Sequence, residues 1–152
     1  MRISLICVGR LGGAPEALLA RDYCDRAAAA GRKIGLPSLE ITEIEGRGKS
    51  GEAAAILAKV AAARLIACDE HGRAFASREF AARLARLRDE GHRHLAFAIG
   101  GADGLDASVL AAAAETIAFG PQTWPHALVR AMLAEQVYRA VTILAGGPYH
   151  RD

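Results

Sequence analysis

The sequence predicts a single α/β domain in which a mostly parallel sheet carries helices on both faces. Short apolar runs alternate with longer amphipathic runs along the chain, a pattern typical of β/α layering. The length of 152 residues fits one core, since single domains commonly hold about 100–200 residues. Apolar residues make up 52% of the chain and charged residues 24%, which is a globular composition and argues against disorder.

Five short apolar segments are predicted as strands, and a helix is predicted after each. The strands are Ile3 to Val8, Leu39 to Ile44, Arg64 to Cys68, His94 to Ile99 and Thr116 to Phe119. The opening MRISLICVGR is interpreted as a buried strand, because Arg10 interrupts its apolar run and no signal-peptidase site follows. No apolar stretch approaches the roughly 20 residues of a membrane span. We therefore expect a cytoplasmic protein without a membrane partner.

The first four predicted helices are placed by their start signals. The first begins at Pro15, which suits the first helical position, and ends near Gly31. The second takes Ser50 as its N-cap. The third follows Ser77 and has one apolar stripe before a glycine ends it. The fourth is a short alanine helix after Asp106.

The last predicted helix is the longest and begins around Pro125. Its apolar residues recur at spacings of three and four and form one buried face. They are Val129, Leu133, Val137, Ala140 and Leu144. Leu128 and Met132 lie beside this face and widen the apolar surface beyond what one sheet contact needs. The pattern predicts a partner helix and thus a subunit interface.

Cysteine spacing and net charge carry little functional information. Cys7, Cys24 and Cys68 are far apart and fit no metal-ligand or Cys-x-x-Cys spacing, so we expect neither a metal site nor disulfides. The net charge of +2 does not by itself indicate a nucleic-acid partner, because only a local basic cluster would do so.

Three loops at the predicted carboxyl ends of strands are candidates for a ligand site, because open parallel sheets bind ligands at this edge. The segment IGGADGLD follows the fourth strand, and its Gly100 and Gly101 permit a ligand to approach the backbone closely. CDEHGR follows the third strand, and the proline-containing FGPQTWPH follows the fifth. Together the loops predict a cup for a flat ligand with polar edges. The two glycines alone are explained equally well by a tight strand-to-helix turn.

The segment GRGKS at residues 46–50 ends like a Walker A motif. The motif's first glycine is replaced by Glu43, whose carboxylate would repel phosphate, so we do not expect a phosphate-binding loop. A flexible basic loop whose Arg47 and Lys49 contact a polyanion is the better interpretation. GGADG does not match the dinucleotide pattern either, because its first two glycines are adjacent.

Polar functional groups concentrate in the last helix and the tail. His126 and Arg130 are four residues apart, as are Glu135 and Arg139, so each pair can share a helix face. A surface ion pair is the ordinary explanation of Glu135 and Arg139 taken alone. The tail GGPYHRD adds a phenol, an imidazole and a guanidinium close to the predicted ligand loop. This concentration indicates a chemical role.

The segments FAIGGADG, TWPHALVRAMLAEQVYRAVTIL and GGPYHRD resemble the signature of the ribosomal RNA large subunit methyltransferase H family, small members of the SPOUT methyltransferases. The resemblance covers essentially the whole chain. It implies a homodimeric α/β fold with a C-terminal trefoil knot, an exception to the rule against threaded chains. It also implies S-adenosylmethionine as methyl donor and N3 of a pseudouridine in 23S rRNA, on the assembled ribosome, as acceptor. DNA is not an expected partner.

Cofactor contacts can be carried over from the family by position. They are Cys68, Gly100, Gly101, Phe119, Gly120, Pro121, Gln122, Thr123 and Trp124. The sequence departs from its relatives at Cys68, where leucine is frequent, and at AFG, where a serine-rich loop is frequent. A cup built mainly from backbone groups tolerates both departures. His126 and Arg130 join Arg47 and Lys49 as candidates for RNA binding.

The resemblance also implies a chemical role for the tail. N3 of a pseudouridine carries a proton at neutral pH, so the transfer needs a proton acceptor or a group that stabilises the developing anion. We expect His150 to accept the proton and Tyr149 to stack on a splayed base. Arg151 and Arg139 are expected to hold the anion and phosphate. Glu135 either orients Arg139 or acts as the base itself, and no metal is required.

Other interpretations stay open at this point. The tail is alternatively a clamp that packs into the C-terminal region. The whole chain is alternatively a noncatalytic ribosome-binding assembly factor of the same fold, which calorimetry with S-adenosylmethionine distinguishes. A nucleotide-binding switch that uses GRGKS predicts thermal stabilisation by nucleotides.

Overall fold

The computed structural model describes residues 1–150 and shows strands alternating with helices as expected. The strands are β1 (Arg2–Val8), β2 (Leu39–Ile44), β3 (Arg64–Ala74), β4 (His94–Ile99) and β5 (Glu115–Ala118). The helices are α1 (Pro15–Gly31), α2 (Gly48–Val60), α3 (Ser77–Asp89), α4 (Ala107–Ala112) and α5 (His126–Leu144), and a short 3₁₀ turn, Arg32–Ile34, follows α1.

The strands form one sheet in the order β2-β1-β4-β3-β5, and each neighbouring pair is parallel. Helices α1, α3 and α5 pack on one face over a core that includes Leu5, Leu84 and Leu133. Helices α2 and α4 pack on the other face over a second core that includes Ile56 and Val109. The predicted parallel sheet with helices on both faces is confirmed. All strand carboxyl ends therefore meet at one edge.

Strand β3 is longer than predicted, because it continues past Cys68 to Ala74. Its register against β5 shifts between Cys68 and Arg73, which marks an irregularity in the strand. Gly72 makes this pairing possible, since a Cβ there would lie 2.5 Å from the carbonyl carbon of Ile117. The polar run Asp-Glu-His-Gly-Arg has no alternating apolar pattern, so no strand was predicted there.

The start of α2 differs from the prediction. The helix begins at Gly48 with Arg47 at the cap position, so Ser50 is not the N-cap. The preceding loop folds back on the first turn, and a Cβ on Gly46 would lie 2.3 Å from the backbone nitrogen of Glu52. The close packing therefore requires glycine at position 46, and no side-chain hydrogen bond caps the helix.

The starts of the other helices agree with the prediction. Pro15 opens α1, and Asp106 caps α4 by accepting a hydrogen bond of 2.9 Å from the Ser108 backbone N–H. The Ser108 hydroxyl, together with this contact, lowers the pKa of Asp106. Helix α5 begins at His126, directly after Pro125.

Helices α1 and α5 leave an apolar surface uncovered. Leu19 on α1 is 48% exposed and Leu128 on α5 is 39% exposed. Both line a cavity of about 540 Å³ together with Tyr23 and Met132. The predicted wide apolar surface is present, and the subunit interface that it indicates stays a prediction. Within residues 1–150, no helix is both long enough and apolar enough to cross a membrane.

Candidate functional site

The three loops singled out in the sequence line one cavity of about 680 Å³ at the carboxyl edge of the sheet. We call this cavity the cup. Strand β3 contributes Cys68, Asp69 and Glu70 to its lining, and the end of β4 with the following turn contributes residues 99–105. The remaining lining comprises Lys49, residues 117–119 and 122–126, and Val129. The volume falls within the range of about 300–1,000 Å³ that is usual for small-molecule sites.

One wall of the cup is the glycine turn after β4. Gly104 N–H donates a hydrogen bond of 3.1 Å to the Gly101 carbonyl oxygen, which closes the turn. A Cβ on Gly100 would lie 2.6 Å from the Gly104 carbonyl carbon, so this position requires glycine. A Cβ on Gly101 would lie 3.1 Å from Val8 Cγ1. The turn is therefore packed tightly on β1 and leaves its open side to the cup.

A second wall of the cup comes from the loop Phe119 to Trp124. The indole Nε1–H of Trp124 donates to the Phe119 carbonyl oxygen at 3.2 Å and closes this loop on itself. The Thr123 hydroxyl donates to Glu70 Oε2 at 2.5 Å and ties the loop to the segment after Cys68. Gly120 has a φ of 98°, a left-handed conformation that favours glycine and turns the chain here. Two of the three loops are thus fastened to one another.

The cup contains charges of both signs. Asp69, Glu70 and Asp103 supply carboxylates, whereas Lys49 and His126 supply the basic groups. Carboxylates favour a cationic ligand by direct Coulomb attraction. This acidic component was not predicted, although Asp69 and Glu70 stand in the CDEHGR segment that was singled out.

Burial determines the chemistry of Cys68. It raises the pKa of the Cys68 thiol far above its usual range, and nearby Cys7 and Asp69 add to the shift. The thiolate is the nucleophilic form of cysteine. Cys68 therefore remains a neutral thiol that contributes to the shape of the cup and does not act as a covalent nucleophile.

Most of the expected cofactor contacts lie in the cup. Cys68, Gly100, Gly101, Phe119, Gln122, Thr123 and Trp124 all belong to its lining. Gly120 and Pro121 do not, and Gly120 instead borders the apolar cavity between α1 and α5. The structure thus brings together seven of the nine positions, and their contact with a cofactor stays a prediction.

The expected catalytic residues form a second cluster, centred on Glu135. Arg139 donates from Nε at 2.9 Å and from Nη2 at 2.6 Å to Glu135 Oε1. The Tyr149 hydroxyl donates to the same oxygen at 3.1 Å, and Gln136 Nε2 donates to Oε2 at 2.7 Å. These hydrogen bonds occupy both carboxylate oxygens. The arrangement favours the orienting role of Glu135 over the role of a base.

The ring of Tyr149 is engaged in this cluster. Its centroid lies 4.5 Å from that of Tyr138, and the Arg139 guanidinium carbon lies 5.0 Å from the ring centre. Burial and hydrogen bonding to Tyr23 raise the pKa of Tyr149, so the phenol is neutral. Stacking of a base on Tyr149 would require one of these contacts to open.

His150 follows Tyr149 directly. Its Nδ1 is buried and has no hydrogen-bond partner within residues 1–150. Arg151, which was expected to hold an anion, lies outside the described residues.

The cup and the Glu135 cluster are separate within one chain. His126 lines the cup, and Glu135 lies nine residues further along α5. At a rise of about 1.5 Å per residue, this spacing corresponds to about 14 Å along the helix axis. None of the described residues that line the cup belongs to the tail. Up to residue 150, the tail therefore does not line the cup of its own chain.

The four candidates for RNA binding occupy different environments. Arg47 and Lys49 are exposed, and Lys49 also lies at the cup together with half-buried His126. Arg130 is only 1% exposed, so the expectation that it contacts RNA is wrong. Its guanidinium is occupied inside the protein by Glu43 and by two backbone carbonyl oxygens. The four-residue spacing between His126 and Arg130 in the sequence does not indicate that Arg130 is buried.

The part of the chain that the structure describes contains no cluster of three or more His, Cys, Asp or Glu side chains suited to a metal ion. Its three cysteines are unpaired.

Comparisons with known proteins agree on one family. A family model described as "Predicted SPOUT methyltransferase" matches residues 1–150. The chain is 61% identical over 154 aligned positions to the ribosomal RNA large subunit methyltransferase H of Caulobacter sp. strain K31, with 100% of both chains covered. It is 58% identical over 154 positions to the protein of that name from Phenylobacterium zucineum, again with 100% of both covered.

Solved structures agree on the fold. A probable methyltransferase from Bordetella pertussis Tohama I superimposes with a TM-score of 0.52 at 15% identity, covering 91% of this chain and 95% of that one. A probable methylase family protein from Haemophilus influenzae Rd KW20 gives a TM-score of 0.53 at 14% identity, covering 99% of this chain and 70% of that one. At such low identity these likenesses concern the fold alone.

Proposed function

Because the chain belongs to the SPOUT methyltransferase family, within its ribosomal RNA large subunit methyltransferase H group, we propose that it methylates N3 of a pseudouridine in 23S rRNA with S-adenosylmethionine as donor. The single observation that carries this proposal is the convergence of three separate loops on one cup at the carboxyl edge of the sheet. The acceptor is proposed to be rRNA in the assembled ribosome.

The cup fits S-adenosylmethionine in size and in charge. Its volume of about 680 Å³ is suited to a ligand of this class. The carboxylates of Asp69, Glu70 and Asp103 favour a ligand that carries positive charge. When bound, S-adenosylmethionine supplies an electrophilic methyl group on a positively charged sulfur. We propose that the glycine turn and the loop from Phe119 to Trp124 hold it between them.

The tail is proposed to handle the acceptor's proton. N3 of pseudouridine must lose its proton when it is methylated, and a positioned imidazole is a suitable acceptor at neutral pH. We assign this role to His150, whose Nδ1 lacks a partner within the described chain. Arg139 is held in place by Glu135 and supplies positive charge for the developing anion or a phosphate. Arg151 and Tyr149 are proposed to assist with phosphate and base.

The active form is proposed to be a homodimer in which the tail of one protomer completes the cup of the other. The separation of the two clusters along α5 supports this, because one chain alone does not bring them together. The exposed Leu19 and Leu128 supply an apolar surface for the partner. The resemblance further implies a C-terminal trefoil knot, which a crystal structure of the dimer would test.

Methyl transfer by a His150→Ala variant tests the role of His150. We expect turnover on ribosomes to fall about 100-fold or more, as is usual when a general base is removed. His92→Ala is the matched control, because His92 lies between α3 and β4, beyond the end of β4 that is opposite the cup. If His150→Ala folds normally and keeps its turnover, His150 is not the proton acceptor and the tail is a structural clamp.

Mixed dimers test the shared site. A protomer with Gly101→Val is paired with a protomer carrying His150→Ala, so that one cup and one tail remain intact on different partners. If the site is shared, the mixed dimer contains one complete site and recovers activity that neither homodimer has. Continued inactivity of the mixed dimer would place each site within one chain.

A further inference from the structure

Arg130 is the largest fully buried side chain of the described residues, and it carries a charge. It lies on α5 directly after Val129 and one helical turn after His126, and both of these residues line the cup. Its guanidinium lies inside the protein. A charge in this position requires partners, because an unpaired buried charge is very costly.

The guanidinium binds the carboxyl ends of two strands. Arg130 Nη1 donates to Glu43 Oε1 of β2 at 3.0 Å. Nη2 donates to the carbonyl oxygens of Val8, at the end of β1, and of Gly9, the latter at 3.0 Å. Glu43 Oε1 also accepts the Leu11 backbone N–H at 3.0 Å. One side chain thus joins α5 to β1, to β2 and to the loop that follows β1.

This network reaches the cup on both sides. On the α5 side it fixes the turn that carries His126 and Val129. On the β1 side it holds Val8, whose Cγ1 would lie only 3.1 Å from a Cβ on Gly101. Val8 therefore packs behind the glycine turn, which forms another part of the cup lining. Arg130 therefore connects α5, which carries part of the cup lining, to the strand end that packs behind the glycine turn.

Stability alone does not explain a buried arginine. Replacing a buried ion pair by well-packed apolar residues is often neutral or stabilising, so such a pair is weak evidence for a stabilising role. Arg130 also leaves its Nε without a partner among residues 1–150, which is a further cost. The planar guanidinium has several N–H donors in fixed directions, so it can hold its acceptors in a defined geometry.

We infer that Arg130 is a positioning residue that sets the width of the cup, with Glu43 as its anchor. The inference rests on the proposed function, because it takes S-adenosylmethionine to be the ligand of the cup. It also explains why Glu43 occupies the position at which a phosphate-binding loop has glycine. In this inference, the Glu43 carboxylate is required as the hydrogen-bond acceptor that holds Arg130 Nη1.

Binding of S-adenosylmethionine tests this without reference to turnover. Trp124 is the single tryptophan of the chain and lines the cup, so its fluorescence reports on occupancy. We expect Arg130→Met to raise the Kd by about ten-fold or more and Arg130→Lys to give an intermediate value. Arg83→Met is the control, because Arg83 also joins a helix to a strand through an ion pair, with Glu115 at 2.9 Å, but is less buried than Arg130.

A double variant separates positioning from stability. Glu43→Met with Arg130→Met removes the buried guanidinium together with its partly exposed carboxylate partner. We therefore expect its thermal unfolding temperature to recover towards the wild-type value. Its Kd for S-adenosylmethionine is expected to stay raised, because the fork that fixes the cup is absent. Should Arg130→Met fail to fold, the double variant and Arg130→Lys carry the test.

The outcomes distinguish this inference from the proposed function. Saturable binding by the wild type, with a raised Kd in the Arg130 variants and an unchanged Kd in Arg83→Met, supports it. Wild-type binding with unchanged Kd in folded Arg130 variants overturns the inference alone, as does recovery of both stability and affinity in the double variant. No binding by the wild type overturns the proposed function and the inference with it.

Discussion

The Tyr149 hydroxyl donates a hydrogen bond of 3.1 Å to Glu135 Oε1, which ties the tail to the middle of α5. Chain ends usually fray unless specific contacts hold them. Here the same carboxylate oxygen also accepts two hydrogen bonds from Arg139. The tail is therefore part of an ordered polar cluster, and His150 follows directly from it.

Tyr149→Phe removes this hydrogen bond while keeping the ring. We expect the free energy of unfolding to fall by about 1 kcal/mol, the usual contribution of one hydrogen bond. Urea denaturation followed by circular dichroism measures the change. Tyr138→Phe serves as the control, because it also removes one phenol hydroxyl and keeps a ring that packs on Tyr149 at 4.5 Å, but leaves the bond to Glu135 intact. An equal loss in both variants would show that the bond to Glu135 makes no specific contribution to stability.

Glu135→Gln distinguishes an orienting carboxylate from a base. The amide keeps an acceptor oxygen for Arg139 and Tyr149 but cannot take a proton at neutral pH. If Glu135 orients Arg139, we expect methyl transfer to fall by less than about 100-fold, below the range usual for loss of a general base. A larger loss in a folded variant would assign the proton transfer to Glu135 instead of His150.

Gly101→Ala tests the glycine turn as a wall of the cup. The added Cβ would lie 3.1 Å from Val8 Cγ1 and 3.8 Å from Glu52 Oε2, so the turn must shift slightly. We expect the Kd for S-adenosylmethionine to rise while the fold is retained, measured by Trp124 fluorescence. Gly13→Ala is the control, because a Cβ there would meet nothing within 4 Å. Equal Kd values for S-adenosylmethionine in the two variants would show that Gly101 does not contribute to ligand binding.

His94 makes stability depend on pH. Burial and the nearby Arg2 lower the pKa of His94 below its ordinary value of 6.5, although Glu40 acts in the opposite direction. The folded state therefore disfavours the protonated ring, which lies 2.9 Å from the Ser4 hydroxyl through Nε2. Between the lowered pKa of the folded state and the ordinary pKa of the unfolded state, the unfolded chain binds more protons. The contribution of His94 to the free energy of unfolding is therefore fully present above a pH of about 6.5 and is lost as the pH falls.

We expect the free energy of unfolding to decrease between pH 7.5 and pH 5, and to decrease less in His94→Gln. Urea titrations at the two pH values measure both slopes. Identical slopes in the wild type and the variant would show that His94 does not contribute.

The cup was predictable from sequence because it depends on topology. Short apolar runs identified the strands, and parallel strands place the loops after Cys68, Ile99 and the fifth strand at a common edge. The residue types in those loops then identified most of the lining. The first turn of α2 was missed because the prediction relied on a side-chain cap at Ser50, whereas the helix begins at Gly48 without one.

The burial of Arg130 could not be read from local spacing. Its partners Val8, Gly9 and Glu43 come from the first third of the chain, and only the packed structure brings their oxygens to one guanidinium. The continuation of β3 to Ala74 depends likewise on its pairing with β5. Both features arise from long-range contacts, which hydrophobic periodicity does not report.

Mass mapping of 23S rRNA from cells with and without this chain is the decisive measurement for the proposed reaction. We expect one pseudouridine-containing fragment to be lighter by a single methyl group in cells that lack the chain, and wild-type protein to restore that methyl group. His150→Ala is expected not to restore it. Identical methylation of 23S rRNA in both kinds of cell would show that this chain is not the pseudouridine methyltransferase proposed here.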